Sequence, residues 1–235
     1  MRYLFACCLL ALFASLSAQS GAFGLRLGAS YFQQRAQLDP ITVDLDHRIG
    51  LSGGVYYQAE LTPYLVLQPE LAFTQRGGKF VSEDGFTSIE SGPGGTTTLV
   101  TDIVQRIRYN YLEAPLLVKG QYGNDRLTGY LQAGPSFGYL LSANEQLEAG
   151  NEIEDFDVAF GEDDGINRFE TALVLGGGVV LPLGEQQLLL DVRYVSSLSN
   201  LTDAEEDQMA FGDGAAKLTN RGWQLSVGYQ WPFGR

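Results

Sequence analysis

W-Q-L-S-V-G-Y-Q-W-P-F, residues 223–233, alternates along its length: Trp223, Leu225, Val227, Tyr229, Trp231 and Phe233 fall on one side, with Gln224, Ser226, Gly228 and Gln230 on the other. A period of two marks a strand with one apolar face. That face has to be buried against a protein core or against lipid, and the choice between them decides the fold.

The same alternation recurs upstream in seven more stretches, each reaching the roughly 9 to 11 residues of a tilted transmembrane strand. Phe23, Leu25, Leu27, Ala29 and Tyr31 oppose Gly24, Arg26, Gly28 and Ser30. Ile49, Leu51, Val55, Tyr57, Ala59 and Leu61 oppose Gly50, Ser52, Gly54, Gln58 and Glu60, and Leu65, Leu67, Leu71 and Phe73 oppose Gln68, Glu70, Thr74 and Arg76. In the fourth stretch, 107–119, Tyr109 and Tyr111 stand out of phase with Leu112, Ala114, Leu116 and Val118, which predicts a bulge near Tyr111. The fifth, 127–141, sets Leu131, Ala133, Phe137 and Tyr139 against Thr128, Gln132, Gly134, Ser136 and Gly138. The sixth, 169–181, turns Phe169, Leu173, Leu175, Val179 and Leu181 away from Glu170, Gly176 and Gly178; the seventh turns Leu188, Leu190, Val192 and Tyr194 away from Asp191 and Arg193.

Connections alternate between short ones, at 62–64, 120–126 and 182–187, and long polar ones, at 33–48, 77–105, 142–168 and 199–221. Short turns at one end and long loops at the other are the anatomy of an outer-membrane barrel, with the short turns periplasmic. A soluble barrel with its apolar face inward would coat the other face with Lys, Glu, Thr and Ser. Here that face is rich in Gly and carries single ions of both signs: Arg26, Glu60, Glu70, Arg76, Glu113, Lys119, Glu170, Asp191 and Arg193. Such a face suits a cramped interior, with Arg26, Glu70, Arg76, Glu113, Lys119, Glu170, Asp191 and Arg193 as a structural ion-pair network. Phe23, Tyr31, Phe73, Tyr109, Tyr139, Tyr194, Trp223 and Trp231 lie near strand ends, where aromatic girdles meet the membrane interfaces. The fold expected is all-β: an eight-stranded antiparallel up-and-down transmembrane barrel with short periplasmic turns and long extracellular loops.

The 235 residues hold 29 Gly, 12 Tyr and 13 Phe, as one β-rich domain does. Residues 1–18 combine Arg2, an apolar run from Tyr3 to Phe13 and small residues at Ser15, Ser17 and Ala18, which reads as a cleaved signal peptide, leaving one barrel domain over 19–235. Cys7 and Cys8 both fall inside that segment, so the mature chain carries no disulfide, thiol nucleophile or Cys-ligated metal. Losing Arg2 leaves 14 basic against 28 acidic side chains, a net charge of −14, which argues against nucleic acid as a partner.

Tyr111-Leu112-Glu113-Ala114-Pro115-Leu116-Leu117-Val118-Lys119 is similar to the Y-L-E-I-P-L-L-L-K strand of the PorT-like outer-membrane β-barrel family of Bacteroidetes, with Ala114 in place of the family's Ile. Leu65 to Gly77, L-V-L-Q-P-E-L-A-F-T-Q-R-G, Gly134-Pro135-Ser136 and the aromatic C-terminal strand extend the resemblance over nearly the whole mature chain. The resemblance implies a small outer-membrane barrel and supplies no reaction or substrate. It brings two expected settings: a structural or surface-interaction role, and an accessory place in an outer-membrane secretion apparatus. Outer-membrane lipid, lipopolysaccharide and the barrel-insertion machinery are the expected partners, with secretion-system subunits under the second setting.

The loops carry the remaining chemistry. Glu145, Glu148, Glu152, Glu154, Asp155, Asp157, Glu162, Asp163 and Asp164 form an acidic run without Lys or Arg, and Asp203, Glu205, Glu206, Asp207 and Asp213 form a second. Solvated surface charge is the plain reading and weak Ca²⁺ binding the alternative; the spacing is not that of an EF-hand, so no metal residue is assigned and no cofactor is expected. His47, the single histidine, follows Asp44 and Asp46 in an expected loop, and a barrel-embedded lipid hydrolase using it is the enzymatic alternative to a non-enzyme. Gly92-Pro93-Gly94-Gly95 and Gly176-Gly177-Gly178 are not phosphate loops, the first lying in a Ser/Thr-rich loop and the second within a strand.

Overall fold

The computed structural model describes residues 20–38, 41–82, 87–89, 97–99, 103–124, 126–149, 152–158, 167–201 and 217–234, and every regular element among them is a strand. In chain order these are β1 (Gly21–Leu38), β2 (Ile41–Asp44), β3 (Asp46–Thr62), β4 (Leu65–Ser82), β5 (Thr87–Ile89), β6 (Thr97–Leu99), β7 (Ile103–Asn124), β8 (Leu127–Ala149), β9 (Glu152–Val158), β10 (Phe169–Leu183), β11 (Gln186–Ser197) and β12 (Lys217–Phe233). The expected signal segment, the 92–95 glycines and the second acidic run lie outside the described residues.

Eight of the strands, β1, β3, β4, β7, β8, β10, β11 and β12, close into an antiparallel ring. The seam is the pairing of β12 with β1, which runs without a slip from Gly21 opposite Phe233 to Gln37 opposite Lys217. Closure leaves no edge, the condition for a sheet that crosses hydrocarbon. The two faces differ as the alternation requires: Leu131 is 75% exposed and Ile49 72%, whereas Arg193 and Arg76 on the inner face are each 2% exposed. An exterior of bare Leu, Ile, Val and Phe around a buried charged interior is the inverse of a soluble barrel.

Tight connections join β3 to β4 through Pro63 and Tyr64, and β10 to β11 through Gly184 and Glu185. At the other end the strands run well beyond the expected spans. The described residues of 33–48 are strand over most of their length: β1 continues to Leu38 and pairs with β2, Leu38 opposite Ile41. Likewise β4 reaches Ser82, β7 starts at Ile103, and β8 continues to Ala149 and pairs with β9. These segments are polar on both faces, so no apolar stripe marks them, yet the backbone ladder simply continues past the membrane. His47 accordingly sits in β3, not in a loop.

Tyr109 and Tyr111 are in phase with Glu113, Leu117 and Lys119, all of them buried inside the ring. Tyr109 is therefore a lumenal side chain, not part of an outer girdle. The ladder does slip between Asn110 and Tyr111, with Leu141 of β8 as the extra residue. Leu140 and Ala143 are both buried, so the bulge reverses the parity of β8 above it.

Much of the inner-face glycine makes room for aromatic rings. Gly24 is paired with Tyr56, Gly178 with Tyr130 and Gly222 with Phe32, and in each pair a Cβ on the glycine would strike the partner side chain. Gly77 is required for a different reason: its φ of +137° is closed to other residues, and a Cβ there would collide with the Ile107 carbonyl.

Leu225, mid-strand in β12 and 62% exposed on the outer face, tests which way the barrel is turned. Leu225→Arg is expected to cost about 2–4 kcal/mol, read as a lowered denaturant midpoint of the heat-modifiable form in lipid vesicles. An unchanged midpoint would contradict a lipid-facing exterior.

Candidate functional site

Eight charged residues are buried among those described, four cations and four carboxylates: Arg26, Arg76, Lys119 and Arg193 against Glu70, Glu113, Glu170 and Asp191. They occupy two levels of the lumen. At the level nearer the short turns, Glu70 of β4 accepts from Arg26 Nε of β1 at 3.1 Å and from both Nη atoms of Arg193 of β11 at 2.8 Å each. Arg193 Nε donates to Asp191 Oδ1 at 2.5 Å, and Asp191 Oδ2 accepts from Tyr130 Oη and Gln132 Nε2, both at 2.6 Å. Lys119 has no carboxylate within ion-pair distance among the described residues. Its Nζ donates to Gln68 Oε1 at 2.9 Å and lies 3.8 Å from the centre of the Tyr130 ring. Gln68 Oε1 also accepts from Gln58 Nε2 at 2.7 Å.

At the upper level Arg76 of β4 bridges Glu113 of β7, at 2.7 Å, and Glu170 of β10. Glu170 also accepts from Asn220 Nδ2 at 3.0 Å and from Ser197 Oγ. The Arg76 guanidinium lies 5.0 Å from the centres of both the Phe32 and the Tyr111 rings. Charged groups deprived of water are tolerable only with good partners, and charge-assisted, two-pronged Arg contacts are the strongest such partners available.

Apolar layers separate and flank the two ionic levels, and these the alternation of sequence did not bring out. Tyr56, Tyr130, Val180 and Leu189 cluster beside the lower level; Phe32, Leu117, Ala172, Val174 and Val195 form a middle cluster; Tyr109, Tyr111, Leu140, Ala143 and Leu201 form the top one. Several have the parity of their ionic neighbours, Leu117 with Glu113 and Lys119, Leu189 with Asp191, Val174 with Glu170. Counting by two from the charged positions puts these three inside.

The family model described as outer membrane protein beta-barrel domain matches residues 17–203. The chain belongs to that family. It is an outer-membrane β-barrel protein. No curated protein matches it. Among solved structures it is similar to Ail, the attachment invasion locus protein of Yersinia pestis, at 17% identity over 91% of this chain and 100% of that one, with a TM-score of 0.38. A major outer membrane protein from Thermus thermophilus aligns at 12% identity over 90% and 99%, TM-score 0.47. The outer membrane protease OmpT from Escherichia coli aligns at 10% over 92% and 98%, TM-score 0.39.

On the outside of this family member, aromatic rings meet at two heights, mostly across neighbouring strands. Phe23 contacts Tyr57 at 5.1 Å and Phe233 at 5.5 Å, and Tyr229 meets Trp231 at 4.7 Å, all toward the short turns. Toward the other end Tyr194 meets Trp223 and Tyr139 meets Phe169, each at 5.1 Å. Tyr31 stacks on His47 at 4.4 Å with the rings 4° from parallel.

Above that upper row, Asp44 receives Arg35 Nε at 2.8 Å and Arg221 Nη2 at 3.1 Å, and the Arg35 guanidinium holds its carboxyl below the usual range. The Gln33 amide, oriented to suit both neighbours, donates to His47 Nε2 at 2.8 Å and accepts from Arg221 Nε at 2.6 Å. The first acidic run is less isolated than its sequence: β7 supplies Gln105 to Glu145 and Arg106 to Glu148, both at 2.5 Å, and Asp155 accepts from Gln146 at 2.9 Å. Cross-strand partners of this kind cannot be seen in a local count of charges. Among the described residues no group of three His, Cys, Asp or Glu is placed to hold a metal.

Glu70 of β4 is the shared acceptor of two arginines from β1 and β11, strands that only β12 separates. Glu70→Ala is expected to destabilise the barrel by about 3–5 kcal/mol, because it strands Arg26 and half of Arg193 without a counter-charge. The loss should appear as a lower temperature of heat modification in detergent.

Proposed function

We propose that this outer-membrane barrel is a non-enzymatic surface protein whose lumen is a structural plug and whose working parts are the strand extensions and loops opposite the short turns. The stacking of ionic and apolar layers across the lumen carries this reading: an eight-stranded ring is only wide enough for side chains to fill, and here they do so at successive heights. The buried charges hold strands together across the interior. Asp44 is engaged by two arginines, and His47 stacks on Tyr31 and accepts from the Gln33 amide at Nε2, so among the described residues both are held in other contacts, which weighs against the hydrolase alternative.

Trp223 and Trp231 are eight residues apart on β12, about 26 Å of strand and about 20 Å of membrane normal at a tilt of roughly 40°. That interval approaches the roughly 25 Å apolar band of such barrels and supports Phe23, Tyr31, Tyr139, Tyr194, Trp223 and Trp231 as interfacial aromatics, in contact with outer-membrane lipid and lipopolysaccharide. Residues 1–18 act as the export signal, removed before the barrel-insertion machinery receives the chain.

Membership of the PorT-like group rests on the Tyr111 to Lys119 motif, and the structure gives that motif a physical meaning. Tyr111, Glu113, Leu117 and Lys119 all face inward, so one motif supplies a member to the top cluster, the upper ionic level, the middle cluster and the lower ionic level. The motif therefore specifies a plug. An accessory role in secretion is the second reading, and it would reside in the extensions.

In planar bilayers the protein and its Glu113→Ala variant are expected to show no stepwise conductance, with the variant losing its heat-resistant form at a lower temperature. A steady open channel in the unmodified protein would overturn the plug. Mass spectrometry of membrane-extracted protein should find Gln19 at the amino terminus. Co-purification of secretion-system subunits would favour the second reading, and an intact secretome after deletion the first.

A further inference from the structure

The lower ionic level is unevenly charged. Three cations, Arg26, Lys119 and Arg193, face two carboxylates, Glu70 and Asp191, while the upper level has the opposite imbalance of Arg76 against Glu113 and Glu170. Arg26 is 3% exposed and spends only Nε on Glu70; Nη1 and Nη2 are both enclosed and without a partner. Ser226 Oγ, also enclosed, has none either. These groups border one small cavity, with room for a single water-sized particle, whose other walls include Tyr56, Gln68, Tyr130, Arg193 and the Asp191 carboxylate, both of whose oxygens already accept from other donors.

The cavity is rich in donors and poor in free acceptors. Tyr56 Oη donates away to Gln230 Oε1 at 3.2 Å and Tyr130 Oη to Asp191. What remains is the outer edge of a guanidinium and one hydroxyl hydrogen, at a level where buried cations outnumber carboxylates by one. A neutral water would satisfy the hydrogen bonds and leave the charge; an anion satisfies both. We propose that this cavity is a buried site for a monovalent halide ion, held by Arg26 Nη1 and Nη2 and by Ser226 Oγ. The limited space excludes sulfate, phosphate and carboxylates. The site goes beyond the plug reading, since a bound ion that does not exchange across the membrane carries no current.

The test compares the detergent-folded, full-length protein in sodium chloride, sodium bromide and sodium gluconate at equal ionic strength. Chloride and bromide are expected to raise the temperature of heat modification by about 2–4 °C over gluconate, saturably. Ser226→Ala should raise the half-saturating bromide concentration about tenfold, and Arg26→Gln should abolish the halide effect. Should Arg26→Gln fail to fold, Ser226→Ala and the unmodified protein still decide the matter. Crystals grown in bromide should show an anomalous peak within hydrogen-bonding distance of Arg26 and Ser226. Equal stability in all three salts, or a bromide-soaked crystal with no peak in the cavity, would overturn the proposal and leave water as the occupant.

Discussion

Hydrocarbon offers no partner to a backbone N–H or C=O, so a strand that crosses it must find all its hydrogen bonds in neighbouring strands. In this protein that requirement is met at one seam, the unbroken pairing of β12 with β1. Most other features follow from it. Closing at eight strands sets an interior too narrow to hold bulk water and too wide to be left empty. Side chains must fill it, and since half of every strand's residues point inward, the inner face has to be a core in its own right.

That core is built unlike the core of a soluble domain. Its apolar clusters do not surround a centre but lie as slabs across the axis, with ion pairs between them. The arrangement suits the geometry. Each slab shuts water away from the charges beside it, and each ionic level ties distant strands together: Glu70 joins β1, β4 and β11, and Arg76 joins β4, β7 and β10. The links to Glu70 and from Arg76 to Glu170 span from 44 to 123 positions in sequence, so they act as crossbars where neighbouring-strand pairing alone would allow the ring to flatten.

The ring itself was legible in sequence because lipid imposes a severe rule, apolar outward at every second position, and eight stretches obey it. The identities of the buried ions were legible for the same reason, since charge on a membrane strand can only point inward. What escaped were features where that rule is silent. Tyr56, Phe32, Leu117 and Leu189 are as hydrophobic as their lipid-facing neighbours, and only parity separates them. The long extensions beyond Phe32 and before Tyr109 lie above the membrane, where neither face is constrained to be apolar. Which cation meets which carboxylate depends on strand tilt, and Arg106 reaches Glu148 only because β7 and β8 stay paired there. Lys119 shows the limit clearly: its place inside was evident, but not that an amide and an aromatic ring would take the part of a carboxylate.

The aromatic rings lying across Gly24, Gly178 and Gly222 bear on how the barrel assembles. Each pair straddles a different seam: β1 with β3, β10 with β8, and β1 with β12. If the first or the last of these seams slipped by one residue, the ring would meet Phe23 or Leu25 in place of Gly24, or Arg221 or Trp223 in place of Gly222, and the displaced strand would turn its charges toward lipid. Two independent penalties thus fall on the same error. Glycine, the residue least able to hold a strand by itself, here acts as a proofreading mark that lets only the correct alignment snap shut during insertion.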